Sequence, residues 1–175
     1  DIGIEVNNHH INSLAPDNVY LDEKGYLNIP EFGSLTKIPG DATDCDALEY
    51  KAPEIILEQG YGNAADWWTL GCFIYEMVVG FPPFWSEDPS KLVDLIKFER
   101  PKYPSKFSQT IKDLLDGLLE KDPSKRLGSG GAEEIKKHSW FSGLDWSLLR
   151  NKEMSPPFVP TFDEQVNSPC VIVFV

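Results

Sequence analysis

One stretch limits what this chain can become: Asn63 to Gly80, reading Asn-Ala-Ala-Asp-Trp-Trp-Thr-Leu-Gly-Cys-Phe-Ile-Tyr-Glu-Met-Val-Val-Gly. Asn63 is a good N-cap and Gly80 a good C-terminal stop, so both ends of a helix are signalled. Between them Trp67, Trp68, Leu70, Phe73, Ile74, Met77, Val78 and Val79 place apolar side chains on every face. A surface helix shows one apolar stripe; a helix apolar all round is buried. At ~1.5 Å per residue it measures roughly 25 Å, the width of a small domain. It is too short, and too polar at Asp66 and Glu76, to cross a bilayer. The expected architecture is a helical lobe wrapped around this central helix. Asp66, in its first turn, is placed either to accept backbone N–H bonds from a neighbouring loop or to complement the helix dipole at the surface.

The 175 residues suffice for one domain with a real core. With 28 acidic against 16 basic side chains the net charge is −12. Phosphate contact needs a basic face, so nucleic acid and anionic membrane are poor partners, and a basic protein is a better one. Cys45, Cys72 and Cys170 are scattered and odd in number, with no metal spacing and no disulfide pattern, which suits a reducing compartment. No signal peptide or transmembrane run is visible, and an intracellular, cytoplasmic location is expected. The first residue is Asp1 rather than methionine, as in a fragment of a longer protein.

Asp1 to Leu14 has no clean period. Its His9-His10 pair lacks a third ligand at usable spacing and reads as a loop. Val19 to Ile29 reads as a β-hairpin: Val19-Tyr20-Leu21 and Tyr26-Leu27-Asn28-Ile29 flank the turn Asp22-Glu23-Lys24-Gly25. A hairpin brings its outer ends together. Here these are Asn18 and Glu31, two hard oxygen donors suited to Mg²⁺ or to solvent. Glu31-Phe32-Gly33 opens a stretch rich in Ser, Thr, Gly, Pro and Asp that reads as an exposed loop up to Ala52-Pro53-Glu54. Thr43 within it is a candidate phosphosite, although Asp41, Asp44 and Asp46 would repel a phosphate.

After the central helix Phe81-Pro82-Pro83-Phe84 breaks the chain, and Pro89 to about Lys97 forms a short helix with Leu92, Val93 and Ile96 on one face. Ser108 caps the next, whose Ile111, Leu114, Leu115, Leu118 and Leu119 make one inward stripe ended by Asp122-Pro123. Ala132 to His138 is a third helix, carrying Ile135 toward Trp140 and Phe141. Met154 to Val175 is a Pro-rich tail laid over the surface, and its uncharged end, Cys170 to Val175, is an association hazard if exposed.

This order of pieces resembles the C-terminal lobe of a eukaryotic protein kinase, and more narrowly the protein kinase A/G/C group. The resemblance runs from about Ile11 to Asp163 and rests on four motifs: Glu49-Tyr50-Lys51-Ala52-Pro53-Glu54, Asp66-Trp67-Trp68-Thr69-Leu70-Gly71, Asp122-Pro123-Ser124-Lys125-Arg126-Leu127-Gly128 and Pro156-Pro157-Phe158-Val159-Pro160. It implies a mainly α fold with one small β-hairpin, a lobe at residues 1–142 without an N-terminal lobe, and an atypical or truncated group tail at 143–175. It also implies that Glu54 pairs with Arg126 and that Asp66 holds the catalytic-loop backbone.

The family's catalytic loop reads H/Y-R-D-L-K-P-E-N. The aligned residues are Ile11-Asn12-Ser13-Leu14-Ala15-Pro16-Asp17-Asn18. Ser13 stands where the resemblance implies the aspartate that accepts the substrate proton, and serine is no base at neutral pH unless activated. Ala15 replaces the lysine that contacts the transferred phosphate, and Asn12 the arginine that grips an activation-loop phosphate. Glu31 replaces the metal-binding aspartate; its extra methylene moves the carboxylate by ~1 Å, where catalytic geometry tolerates about half that. Asp46-Ala47 replaces Gly-Thr. Asn18, the second metal ligand, is retained. The missing aspartate alone costs several kcal/mol of barrier on the scale of ~1.4 kcal/mol per tenfold in rate, and the lysine adds to that without simple additivity.

No Gly-rich phosphate loop or Val-Ala-Ile-Lys strand precedes Ile11. Either such a lobe lies upstream of a truncated sequence, or the chain does not bind ATP in the family's manner. The first reading is therefore a catalytically inactive, pseudokinase-like interaction module with a protein partner, basic or itself an N-terminal lobe, and no cofactor for this chain alone. The second is part of a serine/threonine kinase with weak activity, Asn18 and Glu31 holding Mg²⁺ with ATP once an N-terminal lobe is supplied. A third is a decayed gene product with no selected activity. Apolar surface bared by the missing lobe predicts self-association.

Overall fold

The computed structural model describes residues 14, 16, 19–29, 48–59 and 62–160. Their architecture is mainly helical with one two-stranded antiparallel sheet, as the sequence predicts. β1 (Tyr20–Leu21) pairs with β2 (Leu27–Asn28), with Tyr20 opposite Asn28 and Leu21 opposite Leu27. The Asp22 carboxylate accepts from the backbone N–H groups of Lys24 and Tyr26 at 2.9 and 2.8 Å, which closes the turn. Gly25 has φ +84°, a left-handed conformation that glycine adopts without Cβ strain.

Six α-helices follow: α1 (Pro53–Ile56), α2 (Ala64–Val79), α3 (Pro89–Phe98), α4 (Gln109–Leu118), α5 (Ala132–Lys136) and α6 (Trp146–Arg150). α2 is the central helix. It is buried from Ala65 through Tyr75 apart from the half-buried Leu70. Two details differ from expectation. Asn63 makes no side-chain cap, because it is itself in αR geometry and the chain enters through a tight turn in which Gly62 and Asn63 carbonyls accept from Ala65 and Asp66. The last turn is buried on one face only: Met77 and Val78 are exposed, while Val79 packs partly against the core. Its end is as predicted, with Gly80 at φ +92° donating to the Glu76 carbonyl at 2.7 Å.

The cap chemistry of α3 and α4 follows from sequence. Asp88 accepts from Ser90 N–H ahead of Pro89, and Ser108 accepts from Ile111 N–H. All five stripe residues of α4 are buried. α4 lies against α2 so closely that a Cβ on Gly71 would stand 2.9 Å from Leu118 Cβ and from Leu119. Ile135 of α5 joins this core with Phe141 beside it, whereas Trp140 stays partly exposed, edge-on to Phe141 at 4.7 Å.

The expected exposed loop before α2 ends differently. Leu48–Tyr50 is a 3-10 turn and Pro53 starts α1, with Ala52, Pro53 and Glu54 buried. Side chains of α2 hold it: Thr69 Oγ1 donates to the Ala65 and Tyr50 carbonyls at 3.1 and 3.4 Å, and Cys72 Sγ to the Glu49 carbonyl at 3.8 Å. The start of the tail lies over the hairpin. Tyr26 O–H donates to the Met154 carbonyl, Lys152 Nζ pairs with Asp22 at 3.0 Å, and a Cβ on Gly25 would collide with the Phe158 carbonyl. Among the described residues no helix is long and apolar enough to cross a membrane.

Candidate functional site

The site is built outward from α2. Glu54 on α1 and Arg126 in the loop after α4 are both buried, at 3% and 0% exposure. Arg126 Nη1 donates to Glu54 Oε1 at 2.6 Å and Nη2 to Oε2 at 2.9 Å, a two-pronged charge-assisted pair. Its remaining donors are also used: Nη1 reaches the Ala64 carbonyl at 2.7 Å and Nε the Glu120 carbonyl at 2.9 Å. One side chain thereby fixes α1, the start of α2 and the end of α4 relative to one another. Both oxygens of Glu54 are engaged by a cation, so this carboxylate is structural and no base. The pair has the geometry in which buried charges are tolerated, each carboxylate oxygen accepting from the guanidinium and the remaining guanidinium N–H groups facing backbone carbonyls.

Asp66 is buried at 8% exposure in the first turn of α2, so it is not a surface acid. The backbone that the resemblance has it hold, like Asn12, Ser13, Ala15, Asn18, Glu31, Thr43 and Asp46-Ala47, lies outside the described residues. Among the described residues no three His, Cys, Asp or Glu side chains converge to hold a metal.

The structure adds contacts that no sequence signal reveals. Tyr50 O–H donates to the Glu76 carboxylate and pins the segment before α1 to the far end of α2. Trp68 stacks on Phe84 with centroids 5.7 Å apart. Lys121 Nζ sits 4.7 Å from the Trp68 ring and 4.1 Å from Phe84, and it donates to the Ile96 carbonyl at 2.5 Å. Arg126 lies over Trp68 as well, at 5.3 Å. Burial between the two rings brings the Lys121 ammonium down to about 8, with Arg126 pushing the same way. Burial likewise raises the Cys72 thiol well above its ordinary range, which leaves it inert. These partners are 16 or more residues apart, beyond the reach of any local period.

Where α2 emerges, Phe81 to Trp85 and the end of α3 enclose a slot of about 710 Å³. Its walls include Tyr75, Phe84, Phe81 and Trp85, the last two more than half exposed. Glu76, Glu99, Arg100 and Lys102 supply its charged groups.

Comparison with known proteins agrees with this geometry. The family model described as "Protein kinase domain" matches residues 12–141. The serine/threonine-protein kinase gad8 of Schizosaccharomyces pombe is 40% identical over 159 residues, covering 89% of this chain and 28% of that protein. The serine/threonine-protein kinase YPK1 of Saccharomyces cerevisiae is 42% identical over 159 residues, 89% of this chain and 23% of that protein. The mouse cAMP-dependent protein kinase catalytic subunit PRKX is 40% identical over 150 residues, 84% of this chain and 42% of its own length. The chain thus spans less than half the length of each of these relatives.

Proposed function

The chain belongs to the protein kinase domain family, within it to the A/G/C group of serine/threonine kinases, and on that premise we propose that it is a C-terminal lobe that has lost phosphotransfer and works by binding. One contrast carries this reading. The frame is intact, with Arg126 forked onto Glu54 at 2.6 and 2.9 Å and Asp66 buried in α2. The positions that would do chemistry hold Ser13 and Ala15, which supply neither a base nor a phosphate-neutralising charge. The lobe is assigned to residues 1–142 and its tail to 143–175; the contacts of Lys152 and Met154 with the hairpin support a tail that returns across the lobe. The net charge of −12 supports a basic protein, or a separate N-terminal lobe, as partner for the acidic surface.

The retained Asn18 favours a second reading. With an N-terminal lobe, Asn18 and Glu31 would hold Mg-ATP in an intracellular kinase of low activity. Mg-ATP would supply the transferable phosphoryl group; this chain would contribute metal ligands and little else. The deciding experiment is transfer of labelled γ-phosphate to a generic serine/threonine substrate. We expect no signal above that of Asn18→Ala. A wild-type signal that Asn18→Ala abolishes overturns the inactive reading in favour of the second.

A further inference from the structure

β1 and β2 contribute two residues each, and among the described residues no third strand pairs with either. So short a hairpin is marginal in water; a third strand or a covered face stabilises such a unit. Successive side chains of a strand point to opposite faces. On the Tyr26 face the segment after α6 supplies cover: Tyr26 O–H donates to the Met154 carbonyl and Lys152 Nζ lies 5.4 Å from the Tyr26 ring. The opposite face is apolar. Leu21 and Leu27 stand across from each other, and Ile29 returns to the same side two residues on. Leu21 is half-buried, but Leu27 is 62% and Ile29 40% exposed. Phe158, whose carbonyl lies against Gly25, and Val159 after it are exposed as well. Single apolar side chains in water need no explanation, whereas four at one small sheet do. Both residues of β2 are exposed and both of β1 half-buried, so the open edge is that of β2.

We infer that Val171-Ile172-Val173-Phe174-Val175 pairs along β2 as a third strand and lays its valines over Leu27 and Ile29. The composition suits an open edge: five β-branched or aromatic residues without charge, proline or glycine. Alternation puts Val171, Val173 and Val175 on one side. The course of the chain is the second argument. The Lys152–Asp22 ion pair and the Phe158 carbonyl beside Gly25 bring it to the hairpin, and Pro160 follows two residues on. Ten residues, Thr161 to Cys170, separate Pro160 from Val171. Extended, they span up to ~33 Å, whereas Gly25 and Leu27 are only ~7 Å apart along a strand. Tethered this way, the segment meets β2 at an effective concentration in the millimolar range, above that of a second copy at micromolar protein. The net charge of −12 further holds two copies apart. An uncharged β-prone stretch and an open strand edge are each an association hazard, and pairing them hides both.

The pairing stands or falls apart from either functional reading, since it concerns contacts within the chain alone. Hydrogen exchange on the full chain tests it, because strand amides exchange more slowly the more of their openings are suppressed. We expect Val171–Val175 to exchange at least tenfold more slowly than an unstructured peptide of the same sequence. Leu27→Lys should remove that protection, and Val173→Lys should speed exchange at residues 27–29 at least tenfold. Leu27 is exposed and Val173 lies outside the helices, so neither change touches the core; far-UV dichroism verifies that the helices remain folded. Exchange of Val171–Val175 at the unstructured rate overturns the inference, as does protection at either segment that is indifferent to the substitution in the other. Protection that vanishes on dilution together with a dimer seen by light scattering also overturns it, and assigns the third strand to a second copy.

Discussion

Trp67 and Trp68 are neighbours in sequence and face different interiors. Trp67 enters a core of Ile74, Tyr75, Phe107, Ile111, Leu114, Leu115, Leu118 and Ile135, held by apolar contact with α4 and α5. Trp68 enters a second cluster with Ala52, Cys72, Phe84, Leu92 and Ile96, and there its ring meets Lys121 and Arg126, the latter bound to Glu54. The first side of α2 is stabilised by area and close packing, which degrade gradually. The second depends on a few charged groups whose partners must all be present, because an orphaned buried charge costs far more than a lost methyl group.

Four measurements break or sharpen that difference. Arg126→Ala should do the most damage, ~3–5 kcal/mol in urea unfolding, because it leaves the Glu54 carboxylate buried and unpaired; Glu54→Gln should recover part of the loss when added to it. Leu115→Ala, on the apolar side, should cost about 2–5 kcal/mol according to how far the core closes over the gap. If both substitutions cost the same and Glu54→Gln rescues nothing, the two sides do not differ in kind. Gly71→Ala tests the seam with α4. Its Cβ would press on Leu118 and Leu119, and overpacking of this sort costs typically ~1–3 kcal/mol.

The smallest effect concerns pH. Lys121 has a folded pKa of about 8 against an ordinary 10.5, so above pH 8 the unfolded chain holds the proton that the folded chain has released. Stability should therefore rise from about pH 8 to 9. Beyond 9.0, the ordinary value for Cys72, whose buried thiol keeps its proton in the fold, the two contributions oppose and the rise levels off; toward and above 10.0 Tyr75 and Tyr103, also held protonated by burial, turn it into a decline. Lys121→Met should flatten the rise; a rise that persists in that variant assigns it to another group.

The two sides of α2 were also unequally legible. Period and caps suffice for α3, α4 and the hairpin, because Ser108, Pro89 and the Asp22–Gly25 turn act on residues a few positions away. They fail at the last turn of α2, where Met77 and Val78 are as apolar as the buried residues yet lie on the face that no other described element covers, while Val79 packs partly against the core. α1 and α6 span only four and five residues, too short for a period to register. The Trp68–Phe84–Lys121 stack and the Tyr50–Glu76 bond join residues that only the finished packing brings together.

The strap across the hairpin sets an order of assembly. Tyr26 and its acceptor Met154 are 128 residues apart. At a synthesis rate of ~5–20 residues per second the hairpin waits roughly 6–25 s for the segment that covers it, whereas α2 and α4, in contact at Gly71 and Leu118, need about a third of that. The hairpin thus gains its cover only after the helices exist.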